Sequence, residues 1–399
     1  MVSDPGRAGA LRIAVAVAHL PTRNNGGTER QAARGAEELA KRGHDVWMFV
    51  RGRSSRVYRS GDLWVVERPE LRVASAAYAR IGALRLAWDI THGIRGMVRA
   101  APRFDVVLSY HTLDAGLLGA AASLATGTPH VLWVRSQVEY RGEPRPRGRG
   151  LAPVVWLRSR LILVQTSTMA ASFASTVRRC VPPPVAAGIL RKVRVMPNGL
   201  TLPVEVSPPS TERQILFVGR LEPGKGLDDL IEALPLVPNA RLTVVGDGVD
   251  RARSEALAAG RPVRFLGWKS QDELAEQYRC ASVVVLPSSL VEGLPNVVLE
   301  AMAFGRPVVA TRTGGVLDVV QGGVNGALVE PGRPAELAAA IGSLLSDSDR
   351  LHTLGLAARR TATSYAWGTV IPRLEAALAA VRDGRDWPPE GARGVLPRD

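Results

Sequence analysis

A chain of 399 residues is longer than one ordinary hydrophobic core supports, so two domains are expected. Its 46% hydrophobic and 22% charged content is that of a globular protein, and no apolar run reaches the roughly 18–20 residues of a membrane span. The formal net charge of +14 is lopsided: residues 1–206 carry 30 Lys+Arg against 14 Asp+Glu, the remainder 21 against 23. Residues 11–18 are a short apolar run bounded by turn residues, the pattern of a buried parallel strand. A loop at 21–27 and a polar helix over 28–42, ending at Gly43, follow it. Strands are expected at 45–50, 63–66, 106–109, 130–134, 161–165 and 193–196. Helices lie between most of them, notably at 74–99 and 115–125. Residues 201–213, with Pro203, Pro208 and Pro209, break this series and mark a domain boundary. A second series places strands at 215–218, 242–245, 283–286, 308–310 and 326–329, then helices at 335–345, 350–363 and 370–381.

Strand alternating with helix predicts parallel sheets covered on both faces. The expected fold class is α/β, with two Rossmann-like doubly wound domains facing across a cleft. The domains are 1–206 and 207–368; a helix over 369–383 follows, and the Pro-, Gly- and Arg-rich tail 384–399 reads as disordered. Ligands bind such sheets outside the carboxyl ends of the strands, so the loops there are where chemistry is sought.

Three of those loops in the second half carry unusual residues. In Gly219-Arg220-Leu221-Glu222-Pro223-Gly224-Lys225-Gly226, two cations leave a strand among three glycines, and a helix follows. Glycine lets backbone approach a bulky anion, and cations at this spacing can clamp a diphosphate. The loop lacks the spacing and the Ser/Thr of a Walker motif. In the segment from Glu292 to Glu300, Pro295 is expected in the first turn of a helix, whose free N–H groups point into the cleft. Two carboxylates flanking an anion-binding helix start would repel phosphate alone; they fit as acceptors for sugar hydroxyls, one on a hexose and one on a ribose. Thr313-Gly314-Gly315 is a third glycine turn, and Gly246-Asp247-Gly248 a fourth, without the last glycine or the acid of a dinucleotide fingerprint.

In this order, Gly219-Arg220-Leu221 with Lys225-Gly226, Gly246-Asp247-Gly248, Phe265-Leu266-Gly267, Pro287-Ser288, Glu292 with Glu300, Thr313-Gly314-Gly315 and Asn325-Gly326 through Pro331-Gly332 resemble the family-four retaining glycosyltransferases of GT-B fold. The resemblance covers about 215–367. It implies that Arg220 and Lys225 neutralise the diphosphate of a nucleotide-sugar donor, that Glu292 approaches the donor sugar and that Glu300 binds the ribose. Arg220, Lys225 and Glu292 are the catalytic candidates. The donor-binding candidates are Gly27, Gly219, Gly267, Trp268, Gly293, Leu294, Pro295, Asn296 and Glu300, with the loop 267–269 near the base. Tyr365 to Trp367 resembles the point where the last helices cross back.

The first half resembles the family less closely. Asn25-Gly26-Gly27-Thr28-Glu29 matches its glycine loop after the first strand, and Pro197-Asn198-Gly199 the turn before the interdomain linker. Where many members carry a His after the strand at 130–134, this chain has Arg135-Ser136. His111 either fills part of that role or caps its strand. Asn25, His111 and Arg135 are therefore the acceptor-binding candidates.

The expected reaction is hexosyl transfer from a nucleoside diphosphate sugar to a hydroxyl of a lipid, polysaccharide or small natural product, with anomeric configuration retained. No cofactor and no metal are expected; Asp347-Ser348-Asp349 has the form of a metal-binding Asp-x-Asp but lies in a polar turn away from the strand ends. The alternatives are a nucleotide-sugar epimerase or hydrolase on the same fold, or a non-catalytic sugar-nucleotide-binding partner. The basic first half suits an acidic partner, and contact with an anionic membrane is expected from it. Nucleic acid is not, since no repeat, stacking motif or nucleic-acid module accompanies the charge. Without a charged-then-apolar leader, cytoplasmic residence is expected, peripheral to the inner face of the membrane. Two cysteines, Cys180 and Cys280, without Cys-x-x-Cys spacing, predict neither a disulfide framework nor a zinc site.

Overall fold

The alternation of strand and helix becomes two sheets in the computed structural model, which describes residues 9–20, 27–52, 54–69, 91–92, 95, 103–113, 115–135 and 149–387. The chain divides into two compact units, Met1–Pro197 with Val370–Asp399, and Asn198–Thr369.

The first unit runs β1 (Arg12–His19), α1 (Gly27–Lys41), β2 (Asp45–Gly52), β3 (Arg56–Ser60), β4 (Leu63–Pro69), β5 (Val106–Tyr110), α2 (Ala115–Thr126), β6 (His130–Trp133), α3 (Ala152–Arg158), β7 (Leu161–Val164), α4 (Ser167–Cys180), α5 (Pro183–Leu190) and β8 (Val193–Val195). Its eight strands lie in the order β3-β4-β2-β1-β5-β6-β7-β8, parallel except for the β3–β4 hairpin. The central strands are fully buried, as a sheet covered on both faces requires. α1 shows how the sequence sets one such cover: Ala32, Ala33, Ala36 and Leu39 make its inner stripe, and Arg34 pairs with Glu37 and Glu38 outside. The helix stops at Gly43, whose φ of 94° lets its N–H reach the Ala40 carbonyl at 2.8 Å.

The second unit runs β9 (Gln214–Val218), α6 (Leu227–Ala233), β10 (Arg241–Val245), α7 (Arg251–Leu257), β11 (Val263–Phe265), α8 (Gln271–Cys280), β12 (Val283–Leu286), α9 (Asn296–Ala303), β13 (Val308–Thr311), β14 (Gly326–Val329), α10 (Pro334–Leu345), α11 (Ser348–Thr363) and the first residues of α12 (Trp367–Arg382). Its six strands are all parallel, in the order β11-β10-β9-β12-β13-β14. Alternate strand residues feed two cores: Ile215, Phe217, Val283 and Val285 face one, and Leu216, Val284 and Leu286 the other.

Two strands were not expected. β3 (RVYRS) has no apolar run because it is an exposed edge, held by Arg56, which donates to both carboxylate oxygens of Glu67 at 2.7 and 2.8 Å. β11 is a three-residue edge, too short for a period to register. The helix expected at 74–99 lies outside the described residues apart from positions 91, 92 and 95.

The boundary expected after 206 falls instead after Pro197. Linker residues 198–209 are tied into the second unit. The Leu200 N–H donates to the Tyr365 carbonyl (2.8 Å), and the Leu200 carbonyl accepts from Trp367 (3.0 Å). Arg306, fully buried, donates to the carbonyls of Ser207 and Pro208 at 2.6 Å each, and Arg359 to that of Pro203 at 2.9 Å. Burial pushes the Arg306 guanidinium down to about 10, which still leaves it charged near neutrality. The prolines that break the helical pattern also free carbonyls for these arginines. α12 opens in the second unit at Trp367 and belongs to the first from Val370 onward. There Glu375 accepts from Arg42 at 2.6 Å and meets His44 at 2.9 Å.

His130 opens β6 wholly inside the first unit, with Nε2 3.0 Å from the Ser109 hydroxyl and Nδ1 3.1 Å from that of Ser159. Ser159 donates its proton to the Val155 carbonyl at 2.7 Å, so Nδ1 carries the hydrogen and Nε2 accepts from Ser109. Burial, with a smaller contribution from the Arg158 charge, pushes this imidazole down to about 3. The unfolded chain protonates near pH 6.5 and the folded one only near 3, so this stabilisation is complete above 6.5 and is lost as the pH falls through that window. Urea unfolding across that range should lose stability with a slope approaching about 1.4 kcal/mol per pH unit, and a His130→Gln variant should lack that contribution.

Candidate active site

β9 and β12 are neighbours at the centre of the second sheet, and the loops leaving their carboxyl ends interlock. The Gly224 carbonyl accepts from the Ser289 N–H at 2.8 Å and from the Ser288 and Ser289 hydroxyls at 3.3 and 3.2 Å. Gly226 has a φ of 74°, and a Cβ there would fall 1.9 Å from the Pro287 carbonyl oxygen. On the other flank a Cβ at Gly246 would lie 1.8 Å from the Gly219 carbonyl, and the Leu221 N–H donates to the Asp247 carbonyl at 2.9 Å. The β13–β14 connection braces the second loop: the Gly315 N–H donates to the Glu292 carbonyl (3.0 Å), and a Cβ at Gly314 would be 2.1 Å from that oxygen. Most of these glycines therefore admit a neighbouring loop, where the sequence suggested room for an anion. Gly219 differs: its φ is not positive, and a Cβ there would make only ordinary contact with the Phe217 ring at 3.5 Å.

The interlock brings two of the predicted residues into contact across 67 positions. Lys225 Nζ donates to Glu292 Oε1 at 2.8 Å, both side chains being more than four-fifths buried. Arg220 is more open, and its Nη2 lies 2.9 Å from Glu222 Oε1. Each cation thus already faces a carboxylate; Glu222, in the same loop as Arg220, was not singled out in the sequence.

Pro295 does not enter the first turn of α9 as expected. It precedes the helix in an extended conformation, φ −73° and ψ 111°, and its carbonyl accepts from the Val298 and Leu299 N–H groups. The first-turn N–H groups still lie at the carboxyl end of the sheet, since α9 begins from the β12 loop. Asn198 donates its amide to Asn296 Oδ1 at 2.6 Å and to the Leu294 carbonyl at 3.3 Å, which fixes that turn after Gly293. Glu300, in the second turn, accepts from the Tyr278 hydroxyl at 2.9 Å, and Tyr278 stacks on Phe304. Neither Asn198 nor Tyr278 could be linked to its partner by spacing, because each comes from another element. Gly267 (φ 66°) accepts from the Gly246 N–H at 2.9 Å and is followed by half-buried Trp268. Beside it Arg251 pairs with Asp247 and Glu255.

In the first unit Gly27 opens α1, while Asn25 lies outside the described residues. His111 and Arg135 leave the carboxyl ends of neighbouring strands β5 and β6. The His111 N–H donates to the Trp133 carbonyl at 3.1 Å, and its φ of 76° is a left-handed conformation rarely held without reason. Arg135 is 5% exposed and lies over the rings of Trp133 (4.9 Å) and Tyr110 (5.6 Å), which stack on each other. Burial, partly offset by Arg135, pushes the Tyr110 hydroxyl up to about 12, so it stays protonated.

Asp347 caps α11 by accepting from the Arg350 N–H at 2.9 Å. Among the described residues no three His, Cys, Asp or Glu side chains gather as metal ligands, and no helix is long and apolar enough to cross a membrane. Both cysteines are free and exposed.

Two α/β domains on mainly parallel sheets, with these interlocked loops at the strand ends of the second, define the GT-B fold. The sucrose-phosphate synthase of Thermosynechococcus elongatus has a similar fold, with a TM-score of 0.77 and 21% identity over 94% of this chain and 100% of that one. Anabaena HepE in complex with UDP-glucose is also similar, with a TM-score of 0.70 and 21% identity, over 93% and 100%. The model for Glycosyltransferase Family 4 matches residues 25–202, and that for Glycosyl transferases group 1 matches 212–347. D-inositol 3-phosphate glycosyltransferase 1 of Catenulispora acidiphila is 30% identical over 325 residues, 73% of this chain and 76% of that one. The chain belongs to glycosyltransferase family 4. Two curated relatives at 37% and 38% identity are matched over only 30% and 43% of their own length.

The glycines separate into structural and ligand-facing positions by experiment. Gly226→Ala should cost about 2–4 kcal/mol in urea unfolding, from the clash and the left-handed φ together. Gly219→Ala should leave unfolding unchanged and weaken nucleoside diphosphate binding in calorimetry.

Proposed function

We propose that the protein transfers a hexosyl group from a nucleoside diphosphate sugar to a hydroxyl acceptor, with retention and without a metal. The observation that carries this reading is the Lys225–Glu292 contact beside Arg220 and the start of α9. The diphosphate gains negative charge as the anomeric C–O bond breaks. A cation ~4 Å away at an effective dielectric of about 20 contributes on the order of 4 kcal/mol. Felt only in the transition state, that is roughly a thousandfold in rate. Arg220 and Lys225, with the N–H groups of α9, supply such stabilisation without a Lewis acid.

The carboxylates act as grips. Glu292 holds the Lys225 ammonium in place while its remaining oxygen is available to a sugar hydroxyl. Glu300, oriented by Tyr278, accepts from the ribose. The acceptor oxygen attacks the anomeric carbon on the face the phosphate leaves, and the departing phosphate oxygen takes the acceptor proton. In the first unit Arg135 and His111 contribute to the acceptor side. The solved HepE complex contains UDP-glucose, which makes UDP-sugars the first donors to test. The name of the Catenulispora relative makes a phosphorylated polyol the first acceptor, and the basic first half also suits an anionic carrier at a cytoplasmic membrane face.

Lys225→Ala should lower turnover by roughly a thousandfold while weakening binding of free nucleoside diphosphate far less. Equal losses in both would refute the leaving-group role. Donor consumption with UDP-, GDP- and ADP-sugars, with and without chelator, measures base choice and metal need. NMR of the product assigns its anomeric configuration, and donor conversion without any acceptor would identify an epimerase or hydrolase instead.

A further inference from the structure

One stretch of the chain is entirely without acids. Between Glu143 and Glu205 there is no Asp or Glu, against ten Lys+Arg. The fold gathers half of them. Arg158 ends α3, Arg160 precedes β7, Arg191 follows α5, and Lys192 and Arg194 flank the start of β8. These five line an open cavity of about 650 Å³ together with Arg385 and Trp387 from beyond α12. The cavity lies at the amino ends of β7 and β8, the edge of the sheet opposite the strand ends where ligands of such folds bind.

The charge there is mostly uncompensated. Among the described residues none of the five forms an ion pair; Arg158, Lys192 and Arg194 donate instead to backbone carbonyls, those of Ser123, Leu157 and Arg191 among them. The acid lining the cavity is Asp386, and Arg385 is taken by Asp383. Burial and the Arg160 charge push the Lys192 ammonium below its ordinary range. Carbonyls at the helix ends account for an Arg at 158 or 191, but not for five cations that repel one another around a cavity.

A second feature adjoins it. Leu151, Val154 and Leu157 follow each other at helical spacing along the outer face of α3 and are 40%, 47% and 49% exposed, while Val155 and Trp156 are buried. Leu157 also lines the basic cavity, so the apolar ridge and the cations are continuous. A free phosphate site has no need of such a ridge. Apolar side chains beside cations and an aromatic ring match the boundary of a bilayer, where headgroups meet acyl chains.

We propose that this face docks on the phosphate headgroups of an anionic membrane, with the cavity cations facing the headgroups and the α3 ridge entering the acyl boundary. The proposal assigns a surface to the membrane contact and stands apart from the transferase reading, because its readout is binding and not activity.

The test is co-sedimentation of the full chain with vesicles of phosphatidylcholine alone, or mixed in equal mass with phosphatidylglycerol. Binding to the mixed vesicles alone is expected, weakening as salt rises. An Arg160→Glu/Arg191→Glu/Arg194→Glu variant, checked for native circular dichroism, should lose at least roughly a hundredfold in partitioning. Val154→Ser/Leu157→Ser keeps the charge and should raise the fraction left in the supernatant at intermediate salt. Absence of pelleting, or pelleting unchanged in both variants, overturns the proposal. Displacement by inorganic phosphate beyond that by chloride of equal ionic strength also overturns it, in favour of a soluble phosphate ligand.

Discussion

Everything at the candidate site depends on backbone meeting backbone. Four loops leave the carboxyl ends of the second sheet, and they close upon each other because Gly226, Gly246 and Gly314 bring the chain to a neighbour's carbonyl where any Cβ would collide. The Gly224 carbonyl takes three donors from Ser288 and Ser289. A buried polar backbone must find partners, and here it finds them between loops instead of within them. The result is a rigid rim, and rigidity is what fixed dipoles and charges need if they are to favour a transition state without rearranging.

On that rim the charges come as pairs. Lys225 with Glu292 and Arg220 with Glu222 balance the charges of these loops pair by pair. A cation held by a carboxylate is oriented before an anion arrives, and some of its desolvation has already taken place. The same pairing directs Glu292 inward, so one contact orients both a cation and a carboxylate. The helix that follows is positioned by Asn198, a residue of the linker, so the turn at Pro295 is coupled to the segment that enters the second unit.

The two units handle charge differently. In the second, two arginines turn inward: Arg306 and Arg359 donate to the carbonyls of residues 203, 207 and 208. The first leaves a block of arginines outward, next to an exposed apolar ridge. It also keeps a neutral histidine, His130, inside a serine network that gives it no reason to ionise.

Periodicity alone determined most of the architecture. Apolar runs such as VVVL at 283–286 can only be strands buried on both faces, and their alternation with helices dictates parallel sheets, because that order needs crossovers. The ordered glycine and acid motifs likewise singled out the loops that carry Arg220, Lys225, Glu292 and Glu300. What escaped was decided by contacts between distant segments. β3 has no hydrophobic period because its partner is a hairpin neighbour and water. The boundary at Pro197, and not after the prolines, follows from Arg306 and Arg359 binding carbonyls about 100 and 156 positions away. The reason for most of the glycines was visible only when the facing carbonyl oxygens were in place. A one-dimensional pattern reports which face of an element avoids water; it holds no record of which backbone that face will meet.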